Sequence, residues 1–457
     1  MKRLKYIILL LCTVFATSSM AQTAKSAYFL DGTFHNFKLN PAMKAERGFL
    51  SLGIGNMTMA ANSNVGISDF LYPQGDKLTT FMSGTVDQDE FLGRLPQSIR
   101  FGLNFDETLM AVGFRMFGGY TSFSLSMHSS TSMALPKGFF EFAKKGLQEN
   151  NYNFSGINLN TINYAAATLG YSHEVYKGLR IGVNLKYLMG LAYADATIDK
   201  FNIELSEERW RVEAHARAQA AILSEVYFDS GEKTLENIKM GPFAPAASGI
   251  AVDLGIVYDL KEFVPGLTLS ASVLDLGKIN WQYMMAIENN ENTPIEWTGL
   301  TDANLNDIDG AIDAELERLG EAAEQMMQFQ VYDIQRAKTK LGATMYLGAE
   351  YNMPFYKPLS VAMLYGKKFS PYVYSGWDEM RGYINISPLK WLEASANIGH
   401  TTFGTSWGWM FNFHPGLTSF FIGSDYMISN VTTQFIPVND LNYHITFGFN
   451  MPLGKRK

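Results

Sequence analysis

A chain of 457 residues with 18% charged and 47% hydrophobic residues, a mean hydropathy of -0.05 and a formal charge of -7 has the averages of neither a highly charged soluble domain nor a helical membrane protein. Its acidity argues against a nucleic-acid partner, because binding to phosphate backbones is carried by cations. The single cysteine, Cys12, excludes an intrachain disulfide framework.

Lys2, Arg3 and Lys5 precede an apolar run over residues 7–15 and a cleavage site at Ser19-Met20-Ala21, which together read as a secretory signal peptide over residues 1–21. The apolar run is too short to span a bilayer as a helix, and no later stretch offers about 18 uninterrupted apolar residues. Cleavage after Ala21 removes Cys12, so the mature chain is expected to lack thiols and thiolate metal sites, and to be more acidic still.

Residues 22–47 lack alternation. They carry Phe34, Phe37 and the run Leu39-Asn40-Pro41-Ala42, and are expected to form either a plug inside the fold or a periplasmic strap. Residues 48–62 form the first strand, and 65–97, with Pro, Gly and Asp, a long loop. Ile99, Phe101, Leu103 and Phe105 alternate in one phase and Met110, Val112, Phe114 and Met116 in the other, so residues 106–108 are a turn or a bulge. After Phe117-Gly118-Gly119, Phe123, Leu125 and Met127 interleave with serines, and 135–146 form a capping loop with a helical turn.

The clearest strand is Leu179-Arg180-Ile181-Gly182-Val183-Asn184-Leu185-Lys186-Tyr187. Apolar side chains fall on every odd residue and polar or absent ones on every even residue, which makes an extended chain greasy on one face and wet on the other. The pattern pairs with residues 161–173 in a hairpin and recurs over 250–258, 267–273, 341–351, 359–374, 380–387, 391–399, 406–413, 417–427 and 441–451. Such tiling predicts a transmembrane antiparallel β-barrel over residues 48–457. Residues 209–220 also alternate, but Arg211, Glu213, His215, Arg217 and Gln219 face mostly alanines, too weakly apolar for lipid; they are expected to extend the sheet above the membrane. Six short links give fourteen strands; a hairpin at 106–108 and a strand at 152–160 would give sixteen. Aromatics predict two interfacial girdles, with Tyr171, Tyr176, Tyr258, Phe355, Tyr356, Trp391 and Phe413 at the short turns and Trp281, Tyr374, Trp377 and Trp407 toward the long loops.

The largest break is an expected extracellular insertion at 282–337. Ile308, Ile312, Leu316, Leu319, Ala323 and Met326 recur there at helical spacing, opposite Asp309, Asp313, Glu317, Glu321 and Glu324. An EF-hand reading fails because Leu305 and Leu316 would stand where calcium ligands belong. Gly404-Thr405-Ser406-Trp407-Gly408 has the spelling of a nucleophile elbow, yet it opens a strand instead of a strand-to-helix turn. No cofactor, no metal site and no catalytic residue is expected. Arg100, Arg115, Arg180, Lys186, Asp253, Glu350, Glu393 and His444 fall on the inward phase, where they either pair with one another or hold a substrate carboxylate.

Asn40-Pro41-Ala42 ahead of fourteen strands resembles the FadL-type outer-membrane family. The stretches Leu135-Pro136-Lys137-Gly138-Phe139-Phe140, Asp253-Leu254-Gly255-Ile256-Val257-Tyr258 and Val273-Leu274-Asp275-Leu276-Gly277-Lys278-Ile279-Asn280-Trp281 are similar to an uncharacterised branch of such barrels in Bacteroidota. That resemblance implies a non-enzymatic barrel in the cell outer membrane, among its lipid and lipopolysaccharide. It implies passive uptake of a small hydrophobic molecule such as a fatty acid, with Phe34, Phe37, Asn40, Pro41, Arg100, Arg115, Arg180 and Lys186 as binding or gating residues. A looser resemblance to PorV-type barrels implies the alternative of a structural barrel that binds a surface or secretion partner; a lipid hydrolase is the third reading.

Overall fold

The computed structural model describes residues 24–454, except 44, 46, 76, 147–150, 207–208, 223–225, 229–237, 241–246, 290–293, 298–316, 319, 322–328, 371–375 and 427–441. The wall is built from β1 (Gly48–Ser63), β2 (Ser98–Met116), β3 (Gly119–Pro136), β4 (Ile157–Tyr176), β5 (Leu179–Leu205), β6 (Ala247–Asp259) and β7 (Leu267–Asn289). It continues through β8 (Ala343–Asn352), β9 (Leu359–Phe369), β10 (Trp377–Leu389), β11 (Leu392–Thr401), β12 (Gly404–Phe413), β13 (Ser419–Ser424) and β14 (Tyr443–Leu453). Each strand pairs antiparallel with its neighbours, and β14 pairs back onto β1, closing a barrel of fourteen strands. Closure pairs the first strand with the last, so the wall presents no open sheet edge.

Fourteen is reached because residues 106–108 do not turn. β2 runs straight through them and absorbs the change of phase in a bulge between Thr108 and Met110 against β3, matched by a slip between Leu52 and Asn56 on β1. The sixteen-strand alternative is overturned on both counts, since the described residues Asn151–Asn153 pair in register with the upper end of β5 and Ile157 already begins β4.

Four segments prolong the sheet above the closed wall: Asn151–Asn153, Trp210–Ile222, Ile295–Trp297 and Phe329–Lys340. Trp210–Ile222 follows the edge of β5 above Ala192, and β6 takes over that edge from Gly190 downward. β7 likewise runs on to Asn289 beside Phe329–Lys340, and register slips between Trp281 and Met284 and between Ala286 and Ile287 interrupt its alternation without ending the strand. The acidic helix expected over 308–326 lies outside the described residues but for Glu317, Arg318, Gly320 and Glu321, which are helical. At the same end, α1 (Gln88–Arg94) and α2 (Lys137–Lys145) pack through Phe91, Phe70, Phe81 and Phe140 into a cap. The Lys144 ammonium ties it down by donating to the Ser83 and Val86 carbonyls at 2.8 and 2.7 Å.

The two faces of the wall follow the sequence phase. On β5 Ile181, Leu185 and Tyr187 are exposed while Asn184 is buried, and on β6 Ile250 and Leu254 are exposed while Asp253 is fully enclosed. The outward residues form the apolar belt that suits a bilayer. Tyr176, Phe355, Tyr356, Trp391 and Phe413 ring its short-turn end. The second girdle needs correction. Trp407 is exposed, but Trp281 and Trp377 are buried inside the barrel: Trp281 fills the space left by Gly190 and donates its indole N–H to Thr339 Oγ1 at 2.9 Å, so these two aromatics face inward and do not belong to the girdle. Tyr374 lies outside the described residues.

A charge on the lipid face should be costly and one at the rim should not. Leu254→Arg is expected to lose about 2–4 kcal/mol of unfolding stability, against about 0–1 kcal/mol for Val175→Arg at the short-turn end. Urea unfolding followed by heat-modifiable gel mobility reads both, and equal losses would reject the facing.

Candidate functional site

Residues 24–43 lie within the barrel. Lys25, Tyr28, Leu30, Phe34, Phe37, Leu39, Asn40 and Ala42 are all buried, and their partners come from strands around the whole wall. The segment has no sheet pairing of its own; it turns through three short 3-10 helices, Lys25–Ala27, Asp31–Thr33 and Asn36–Lys38. Its polar backbone must therefore find partners on the wall.

The tightest seat is under Asn40-Pro41-Ala42. Gly182 of β5 and Gly255 of β6 stand opposite one another in register, and the absent side chains leave a notch. A Cβ on Gly182 would lie 2.2 Å from the Pro41 carbonyl, and one on Gly255 2.1 Å from Asn40 Oδ1. Asn40 Nδ2 donates to the Ile256 and Ala271 carbonyls, each at 3.2 Å, while its Oδ1 accepts the Ala42 N–H at 2.9 Å. Around it, Ser272 Oγ donates to the Leu39 carbonyl at 2.6 Å, Arg180 to Ala42 at 3.1 Å and Asn184 to Phe37 at 3.3 Å.

The outer end of the segment is held by charge. The Lys25 ammonium pairs with Glu379 and sits 4.1 Å from the Trp377 ring centroid. The Lys25 and Ser26 amides both donate to Asp425 at 2.8 Å. Glu379 also accepts from Arg381 Nε at 2.6 Å, and Arg381, fully enclosed, reaches the Asp425 carbonyl and Ser406 Oγ at 3.0 Å each. So many dry charges hold together only as a complete set, because removing one partner strands another. Toward the short turns, Phe34 and Phe37 pack on Phe49, Ala111 and Tyr120, the Gly32 N–H donates to Glu393 at 3.0 Å, and His35 Nε2 shares a 2.8 Å hydrogen bond with Asn450.

Above Phe37, Lys38 and Leu39 lies a chamber of about 150 Å³ whose wall mixes Phe105, Leu274, Tyr164, Tyr346 and Trp377 with serines, Asn104 and charged groups. Lys186 reaches Asp253 at 2.9 Å and Asp275 at 2.7 Å. Asp253 also accepts the Asp275 N–H at 2.8 Å and Asn184 at 3.0 Å. Asp275 takes a left-handed φ of 59° at a β7 bulge, a conformation that Asp tolerates better than most residues. Lys38 of the segment reaches Asp106 at 3.0 Å, and His128 lies 3.0 Å from the same carboxylate. A narrower space of about 20 Å³, toward the cap, shares Asn104, Ser130, Lys368 and Trp377 with the chamber and adds Arg100 and Phe403.

Of the residues singled out from sequence, Phe37 and Lys186 line the chamber, and Arg100 lines the narrow space outward of it. Phe34, Asn40, Pro41 and Arg180 belong to the seating of the segment. Arg115 is exposed at the short-turn end of β2, paired across the sheet with Tyr120. Glu350 bonds Ser360 at 2.7 Å, and His444 Nδ1 accepts the Asp425 N–H at 3.0 Å. Ser406 of the elbow spelling lies within strand β12 and accepts from Arg381. Lys25, Lys38, Asp106, Glu379, Arg381 and Asp425 were not foreseen, although Glu379 and Arg381 flank the lipid-facing Met380 and so carried an inward-phase signal.

The sequence profile of a family of unknown function, DUF5723, matches residues 41–425. The chain belongs to this family. No curated protein matches the sequence. Among solved structures, the toluene transporter TbuX of Ralstonia pickettii is similar at a TM-score of 0.43 and 8% identity, covering 96% of each chain. A FadL homologue of Pseudomonas aeruginosa reaches 0.40 at 10% identity, over 96% of this chain and 100% of its own. The toluene transporter TodX of Pseudomonas putida reaches 0.40 at 8%, over 95% and 94%. At these scores nothing about cargo follows for the DUF5723 chain.

The notch makes a direct prediction. Asn40→Ala removes the bonds to two wall carbonyls and should weaken docking of the segment by about 1–3 kcal/mol. Amide exchange over residues 36–43 should accelerate while the barrel keeps its heat-modifiable mobility. Unchanged exchange would mean that the seat is held by packing alone.

Proposed function

We propose that this protein is an outer-membrane barrel for passive uptake of a small molecule with an apolar part, gated by residues 22–47 acting as a plug. The observation that carries the reading is a chamber inside the wall whose floor is Phe37-Lys38-Leu39 of the N-terminal segment. A solute entering from the cap side would meet aromatic side chains and then that floor, and onward passage needs the segment to shift. The wall does not depend on the segment for its strand pairing, so the segment can move without unfolding the barrel. A hydrophobic substrate such as a fatty acid, lipopolysaccharide around the outer rim and a place among FadL-like barrels of Bacteroidota belong to the same proposal.

A second reading rests on a separate feature. The sheet above the membrane encloses a polar slot of about 490 Å³ lined by Asp195, Arg217, Glu288 and Gln335, a surface that suits a protein partner outside the cell.

Deletion of residues 22–38 separates the two. Under the uptake reading the barrel still assembles, and liposomes carrying it swell faster in small solutes than those carrying the full chain. Assembly without a gain in permeability would reject gating by this segment, and loss of assembly would make the segment structural.

A further inference from the structure

The chain is acidic overall, with a formal charge of -7, yet one hollow at the short-turn end runs the other way. It measures about 470 Å³ and is lined by Arg47, Lys390, Trp391, His414, Pro415 and Gly416. Two hairpin tips form its sides. Leu389 pairs with Leu392, which leaves Lys390 and Trp391 as the tip between β10 and β11, and the His414 N–H donates to the Trp391 carbonyl at 2.8 Å, joining that tip to the one between β12 and β13. Arg47, just ahead of β1, reaches the second tip and donates to the Gly416 carbonyl at 3.2 Å. Among the described lining residues two are cationic and none is a carboxylate. Glu393, 3.7 Å from His414 Nε2, is buried behind them and accepts from Gly32 and Asn412. At two other short turns the cations come with acids, Lys177 with Glu262 at 3.8 Å and Lys261 with Asp259 at 3.6 Å. The level of the hollow follows from its neighbours: Leu389 and Leu417 beside it are 47% and 85% exposed, and Trp391 and Phe413 are exposed as well, a mixture that suits the boundary between acyl chains and headgroups.

We propose that this hollow binds the headgroup of an anionic glycerophospholipid from the leaflet at the short-turn end, with Arg47 and Lys390 on the phosphate and Trp391 and Leu417 along the glycerol and the first acyl carbons. Guanidinium and ammonium groups make charge-assisted hydrogen bonds to phosphate oxygens, and the bond to Gly416 holds the Arg47 guanidinium at the hollow. Cations grouped at a membrane surface favour lipids of net negative charge. A zwitterionic headgroup carries an ammonium that Arg47 and Lys390 repel, so the discrimination is by charge and not by the phosphate alone. A lipid seated there would touch both hairpin tips and the start of β1, where the N-terminal segment passes into the wall. The site stands apart from the chamber and from whatever cargo the barrel carries.

Phosphatidylglycerol and phosphatidylethanolamine share the phosphate and differ in net charge. The full-length protein in neutral detergent, given equal amounts of the two, should retain phosphatidylglycerol about tenfold over phosphatidylethanolamine by native mass spectrometry. Lys390→Gln, at an exposed hairpin tip, should lower that preference, and adding Arg47→Gln should abolish it. Lys177→Gln, at the exposed tip between β4 and β5, should leave it unchanged. Added inorganic phosphate should not displace the lipid, because it lacks the part that Trp391 and Leu417 would cover. Equal retention of the two lipids by the unaltered protein would overturn the proposal without any variant having to fold. Equal loss in Lys177→Gln and Lys390→Gln would overturn it in favour of general surface charge, and displacement by inorganic phosphate would overturn it in favour of a site for free anions.

Discussion

The arrangement depends on two missing side chains. Gly182 and Gly255 face each other across β5 and β6, and there the wall recedes enough for a chain with its own polar backbone to lie against it. A Cβ at either position would collide with Asn40 or Pro41. With the notch in place, Asn40 satisfies two wall carbonyls, the segment turns back on itself, and Phe34 and Phe37 fall onto Phe49 and Tyr120 below while Lys38 reaches Asp106 beside the chamber. The floor of the chamber is thus fixed by what the wall leaves out.

A barrel of this size has an interior that its own wall residues cannot fill, and inward polar groups in a dry space need partners. Much of that demand is met by residues 24–43. Arg381 and Glu379 would have each other without Lys25, but Asp425 would lose both amides that now donate to it. Glu393 would lose the Gly32 N–H. Buried charge of this kind adds little net stability, and its effect is to specify one position for the segment.

The wall was legible because lipid imposes alternation. Ile181, Leu185, Ile250 and Leu254 alternate with Asn184 and Asp253, and the phase change in β2 betrayed its bulge. Legibility ended above the bilayer, where 282–289 and 329–337 are strand whose register slips between Trp281 and Met284 and between Ala286 and Ile287, and inside the barrel, where Trp281 and Trp377 look like girdle residues until their neighbours are known. The seating of the segment was out of reach for a different reason. Lys25 and Asp425 lie 400 residues apart, and no local pattern joins them. The stretches around Asp253 and Asp275 were noticed only as family-like strings; their joint hold on Lys186 follows from pairing β6 with β5 and with β7 and from the bulge at Asp275.

Everything proposed for the chamber requires that Asn40-Pro41-Ala42 occupy its notch in the assembled barrel. Ala42→Cys places a thiol there with a minimal change of shape. In the folded protein a water-soluble maleimide should leave this cysteine unmodified, with full modification once the barrel is unfolded by heat in detergent. Rapid modification in the folded barrel would contradict the account, for the segment would then lie outside the wall and the chamber would have no floor.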